Sequence, residues 1–150
     1  MTHPLIEALT ARHGFTLVDE TTLDAFLAAN PRSVLFFPGD SDRLVETADV
    51  AVILPEILKG CGRGLAPALV AAKAERLLQR RYRFNAFPAL VFMRGTGYLG
   101  VITRVLDWSG YMAEVPAILA RAPSEPPPFR FPDGCVAGPK VNGIEQGEPA

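Results

Sequence analysis

Apolar positions change period several times along this chain, and each change marks a predicted element. Leu5 to His13 carries a short helical pattern closed by Gly14, and Phe15 to Val18 is an apolar strand. Thr21 or Thr22 then caps a helix bearing Leu23, Phe26 and Leu27. That helix stops at Asn30-Pro31, because the residue before a proline is driven out of the helical region. Ser33 to Phe37 is apolar from Val34 onward, the pattern of a strand buried on both faces. Pro38-Gly39-Asp40-Ser41-Asp42 makes a turn. Val50, Ile53, Leu54, Ile57 and Leu58 then fall on one helix face. Pro55 lies inside that pattern and removes a backbone donor, so the helix is expected to kink there or to start near Leu54. Glycines 60, 62 and 64 end it.

Leu65 to Ala72 is the next predicted strand. Lys73 to Arg83 follows as a helix with Ala74, Leu77 and Leu78 inward and its basic residues outward. Ala89 to Met93 and Leu99 to Leu106 read as two strands joined through Arg94-Gly95-Thr96-Gly97, a hairpin signal. The closing helix, Trp108 to Arg121, places Tyr111, Met112, Val115, Ile118 and Leu119 on one face, with Trp108 expected to anchor it in the core. The order α-β-α-β-α-β-α-β-β-α predicts an α/β fold, a central mixed sheet with helices on both faces. Beyond Arg121 the pattern stops. Ala122 to Ala150 holds seven of the 14 prolines and four glycines, so residues 1–121 are expected to form the domain and 122–150 a flexible tail. Phe129, Phe131 and Val136 are the exceptions, and could dock as an extended clip.

Composition narrows the class without naming a function. A 150-residue chain with 49% hydrophobic and 21% charged residues is an ordinary globular domain, neither disordered throughout nor collagen-like. A net charge of −1 gives no whole-chain reason to bind nucleic acid or a membrane surface. Glu7, Arg12, Asp19 and Glu20 interrupt any export signal, and the longest apolar runs are eight residues where a spanning helix needs about 20. A cytoplasmic protein without membrane insertion is expected. Cys61 and Cys135 lie 74 residues apart, which fits neither a zinc site nor a dithiol redox motif, and His3 and His13 have no clustered ligands. No metal or cofactor is expected.

Two stretches carry further information. Tyr82-Arg83-Phe84-Asn85-Ala86-Phe87-Pro88-Ala89-Leu90-Val91-Phe92, followed by Arg94-Gly95, resembles the second half of a thioredoxin fold, with Pro88 at the cis-proline position. The resemblance implies a cysteine pair after the central strand, yet Pro38 to Arg43 holds no thiol, and the strand itself lacks the buried acid of that superfamily. Thiol–disulfide exchange needs an attacking thiolate and a resolving partner. Neither is present there. The run Glu46 to Leu58, together with Phe84 to Phe92, Tyr98 to Ile102 and Asp107-Trp108, resembles the HyaE/HupG family of hydrogenase expression proteins over roughly Leu5 to Arg121. That resemblance implies a thioredoxin-like protein without catalytic cysteines. It would assist maturation of membrane-bound [NiFe] uptake hydrogenase by associating with the twin-arginine signal peptide of the small-subunit precursor.

The candidate surface follows from charge. Between Pro38 and Leu58, five carboxylates (Asp40, Asp42, Glu46, Asp49 and Glu56) stand against Arg43, a net −4. One reading is a solvated helix N-terminus, where carboxylates suit the macrodipole. The other is an anionic surface for paired arginines, whose donor fork matches carboxylate oxygens. Phe87 and Pro88 would border a groove for an extended peptide, or form a structural turn only. Lys73 to Arg83 carries net +4, a solvated face or a protein-docking face; it lacks the exposed aromatics of a nucleic-acid surface. Cys61 follows a helix C-terminus, where the dipole disfavours a thiolate.

The expected function is thus a non-catalytic maturation chaperone, with the hydrogenase small-subunit precursor as partner and other hydrogenase accessory proteins as further candidates. A monothiol oxidoreductase using Cys61 and a structural interaction module are the alternatives.

Overall fold

The computed structural model describes residues 4–39, 44–61 and 64–128. Asp40, Asp42, His3, Cys135 and the proposed clip at Phe129, Phe131 and Val136 lie outside these residues. The elements come in the predicted order: α1 (Pro4–Arg12), β1 (Thr16–Val18), α2 (Leu23–Ala29), β2 (Arg32–Phe37), α3 (Leu44–Gly60), β3 (Ala66–Val70), α4 (Glu75–Tyr82), β4 (Ala89–Arg94), β5 (Gly97–Ile102) and α5 (Trp108–Leu119). A single 3-10 turn, Ala72–Ala74, leads into α4 and shortens both the strand and the helix predicted on either side of it.

Five strands form one sheet in the order β1-β3-β2-β4-β5. β1, β3 and β2 run parallel; β4 and β5 are antiparallel. The central strand β2 pairs on both edges, Leu35 with Ala68 of β3 and with Val91 of β4. Because strand side chains alternate, β2 divides its apolar residues between two cores. Val34 and Phe36 pack with Leu9, Leu54, Ile57 and Val115 on the face covered by α1, α3 and α5. Leu35 and Phe37 pack with Leu27, Leu78 and Tyr82 on the face covered by α2 and α4. All four are fully buried, at about 1.5–3 kcal/mol of burial each. A two-sided core explains why this strand reads apolar without alternation.

The structure corrects four local expectations. Of the two outcomes Pro55 allowed, a start near Leu54 is excluded: α3 is one helix from Leu44 to Gly60 with the proline inside it. Val50, Ala51, Leu54 and Ile57 hold it by burial against the sheet, which outweighs one missing hydrogen bond. Leu77 points outward, 52% exposed, because α4 turns Glu75, Leu78 and Tyr82 toward the core instead. Neither predicted threonine caps α2 through its side chain. Asp19 instead organises the turn just before α2: its Oδ1 accepts the backbone N–H groups of Thr21 (2.8 Å) and Thr22 (3.0 Å) and both threonine hydroxyls. Those bonds hold its carboxyl down at about 2. Finally, Trp108 is 46% exposed and does not anchor the core.

The hairpin is tighter than predicted. Arg94 pairs with Gly97 across a two-residue Gly95-Thr96 loop, with Gly95 at φ +56°. The chain after α5 returns along β5: Ser124 donates its N–H to the Tyr98 carbonyl at 2.9 Å, and Arg83 donates to the Pro126 carbonyl at 3.0 Å.

Candidate functional site

Three segments meet at one end of β2. The strand leaves the core at Phe37 and turns through Pro38 and Gly39 toward α3, while β4 enters beside it through Phe87-Pro88. The Phe87–Pro88 peptide bond is cis, as the resemblance to thioredoxin implied. Phe37 and Ala89 are register partners, so the cis bond abuts the start of the turn.

The corner is tightly tied. Thr47, buried in the first turn of α3, donates its hydroxyl to the Pro38 carbonyl at 2.6 Å. Glu75, from the start of α4, is only 7% exposed and accepts the Gly39 N–H on Oε2 at 2.8 Å. Gly39 has φ +84°, and a Cβ there would lie 2.6 Å from Phe87 Cβ. Phe87 continues an edge-on aromatic series, 5.4 Å from Phe84, which is itself 4.8 Å from Phe37. Gln79 fixes the same loop by donating to the Phe84 carbonyl at 3.0 Å. Turn and cis-proline loop therefore form one packed unit.

Of the residues expected to bind a partner, Phe87 and Pro88 lie at this corner, and Pro88 is buried while Phe87 keeps partial exposure. Glu46, Asp49 and Glu56 are all exposed. The helix aligns them on one stripe through Ile53, at the i, i+3, i+7, i+10 spacing. Glu46 and Asp49 are at the corner end; Glu56 stands about 15 Å further along and pairs with Lys59 at 3.4 Å. Flanking them, Val45 and Val52 are 78% and 57% exposed.

Sequence reasoning missed Glu75 and Thr47. By charge alone Glu75 is one acid within the basic segment Lys73 to Arg83. Its spacing to Leu78 and Tyr82, i, i+3, i+7, is the signal that places it on the inward face.

The remaining candidates lie elsewhere. Cys61 follows the last turn of α3, about 21 Å along the helix from Thr47 and the cis-proline corner. It is half-buried, and burial pushes its thiol up from 9.0, away from the thiolate that exchange chemistry needs. Lys73, in the 3-10 turn before α4, pairs with Asp19 at 3.8 Å, and on α4 Arg81 pairs with Asp24 at 2.9 Å while Arg76 and Arg80 are exposed. Tyr82 and Phe84, the aromatics nearest this basic face, are buried. Among the described residues, no helix is long and apolar enough to cross a membrane.

A mixed sheet of this order, with a cis-proline opposite the entry to a long helix and no sulfur in the intervening turn, defines the class: a thioredoxin fold without the thioredoxin thiols. The crystal structure of mitochondrial thioredoxin 3 from Saccharomyces cerevisiae matches this fold with a TM-score of 0.55 at 12% identity, over 71% of this chain and 95% of that one.

The family model described as hydrogenase-1 expression protein HyaE matches residues 5–111. The hydrogenase expression/formation protein HoxO of Azotobacter vinelandii is 52% identical over 120 residues, 80% of each chain. The hydrogenase expression/formation protein HupG of Rhizobium leguminosarum bv. viciae is 38% identical over 124 residues, 80% of this chain and 83% of that one. The chain belongs to the HyaE family of hydrogenase expression/formation proteins.

Proposed function

We propose that this protein is a non-catalytic chaperone of hydrogenase maturation that acts in the cytoplasm on the small-subunit precursor. It holds the precursor's twin-arginine signal peptide until assembly is complete. One observation carries the reading: the corner where thioredoxins place their chemistry is here a packed, thiol-free unit of Gly39, Thr47, Glu75 and Phe87, set beside exposed carboxylates. A packed corner with no thiol suits binding rather than thiol–disulfide exchange.

In this reading Asp40, Asp42, Glu46 and Asp49 receive the arginine pair, since a carboxylate accepts a guanidinium through two parallel bonds. Phe87 offers an apolar edge beside it. Glu56 lies too far along α3 to share the same guanidinium and acts on a later part of the bound segment. Residues 122–150 serve in this reading as an accessory segment, its start tied to β5 through Ser124 and to Arg83 through the Pro126 carbonyl.

Retention of the precursor on the immobilised protein tests this. The native precursor is expected to be retained, and retention is expected to fall sharply when both arginines are replaced by alanine. Equal retention of the two would remove the acidic-surface mechanism. No retention of the native precursor would overturn the partner itself.

A further inference from the structure

The exposed stripe of α3 does not run out into solvent at its far end. Stepping from Glu56 by four residues reaches Gly60, on the same helix face as Asp49 and Ile53. The Trp108 indole lies over that glycine: a Cβ at Gly60 would come within 3.2 Å of ring atoms Cη2 and Cζ2, and 3.5 Å from the Met112 sulfur. Trp108 nonetheless keeps nearly half its surface open, and Val105 just before it is exposed as well. Val45 and Val52 are exposed on the same helix beside its acidic stripe, and that stripe ends under the indole, which gives an apolar track. A large flat aromatic at the end of such a track is the side chain that partners most often desolvate.

We propose that Trp108 is the distal seat of the peptide surface: an apolar run following the arginines lies along Val45 and Val52, and its far end covers the indole. This seat presupposes the signal-peptide reading above and adds to it the direction and span of the bound segment. From Glu46 to Gly60 the helix advances about 21 Å, which an extended chain covers in about six or seven residues. Arginines held at Glu46 and Asp49 therefore bring the end of such a run onto Trp108. Charge selects the occupant. Neither Glu46 nor Asp49 has a cationic partner among the described residues, so an acidic segment would meet repulsion at the corner end of the track.

Trp108 is the chain's single tryptophan, so its emission reports on this seat alone. The probe is a synthetic peptide without aromatic residues, two arginines followed by a run of leucine, valine and alanine, titrated into the full chain. A control peptide replaces the run with serine and glycine. The apolar peptide is expected to move Trp108 emission to shorter wavelength, and the control to leave it unchanged. In calorimetry, Trp108→Ala is expected to weaken binding roughly tenfold or more, with most affinity kept in Trp108→Phe. Binding with unchanged emission, or with equal affinity for Trp108→Ala, overturns the seat and leaves the signal-peptide reading standing. An equal emission shift with the control peptide also overturns the seat. Absence of binding by the apolar peptide overturns both.

Discussion

Substituting Gly39 by alanine tests whether the turn and the cis-proline loop are one unit. Two costs add at this position. With φ at +84°, any residue with a Cβ sits in the left-handed region, at about 1–2 kcal/mol. The new Cβ would also lie 2.6 Å from Phe87 Cβ, held in place by Phe84 behind it, and overpacking of this kind costs about 1–3 kcal/mol. Gly95 is the internal control. It too has positive φ, at +56°, yet a Cβ there meets nothing within 4 Å, so Gly95→Ala bears only the backbone cost. At about 4 °C per kcal/mol for a domain of this size, Gly39→Ala should lower Tm by roughly 8–20 °C and Gly95→Ala by roughly 4–8 °C. Thermal unfolding followed by circular dichroism measures both. Equal losses in the two variants would mean that Phe87 does not pack against the turn, and the account of the corner as a rigid binding unit would fail with it.

Two further outcomes follow from the titrating groups. The Asp19 carboxyl is held at about 2, below its ordinary 3.8, so its stabilising effect is complete above about pH 4 and is lost as pH falls through about 2. Asp19→Asn should therefore lower Tm at pH 7, by a margin that shrinks between pH 4 and 2; a margin independent of pH would refute the charge dependence of this turn. In a Cys135→Ser background, alkylation of Cys61 by iodoacetamide should be slower than that of a free cysteine, with the rate still climbing above about pH 9. A rate already level by about pH 8 would reveal an activated thiol and revive the monothiol oxidoreductase.

Elements with strong local signals were legible in the sequence. Val34 to Phe37 had to be a strand buried on both faces, because four successive residues without a polar side chain leave no face for water. The amphipathic spacing on α3 and α5, the Gly95 turn and the absence of sulfur after Phe37 are likewise local facts. Even so, Pro55 left open whether α3 begins before it, since a backbone penalty is visible in sequence while the burial that outweighs it is not.

Long-range placement was decided only by the tertiary structure. Nothing in the sequence joins Glu75 to Gly39 across 36 residues; the sheet order does, by setting the start of α4 beside the end of β2. Trp108 was expected in the core because large aromatics usually bury, yet α5 docks through Tyr111, Val115 and Ile118 and leaves the indole resting on Gly60. Hydrophobic pattern determines which face of each element turns inward. Which end of one element meets which end of another depends on packing between segments distant in the chain, and that is where this protein's cis-proline corner is made.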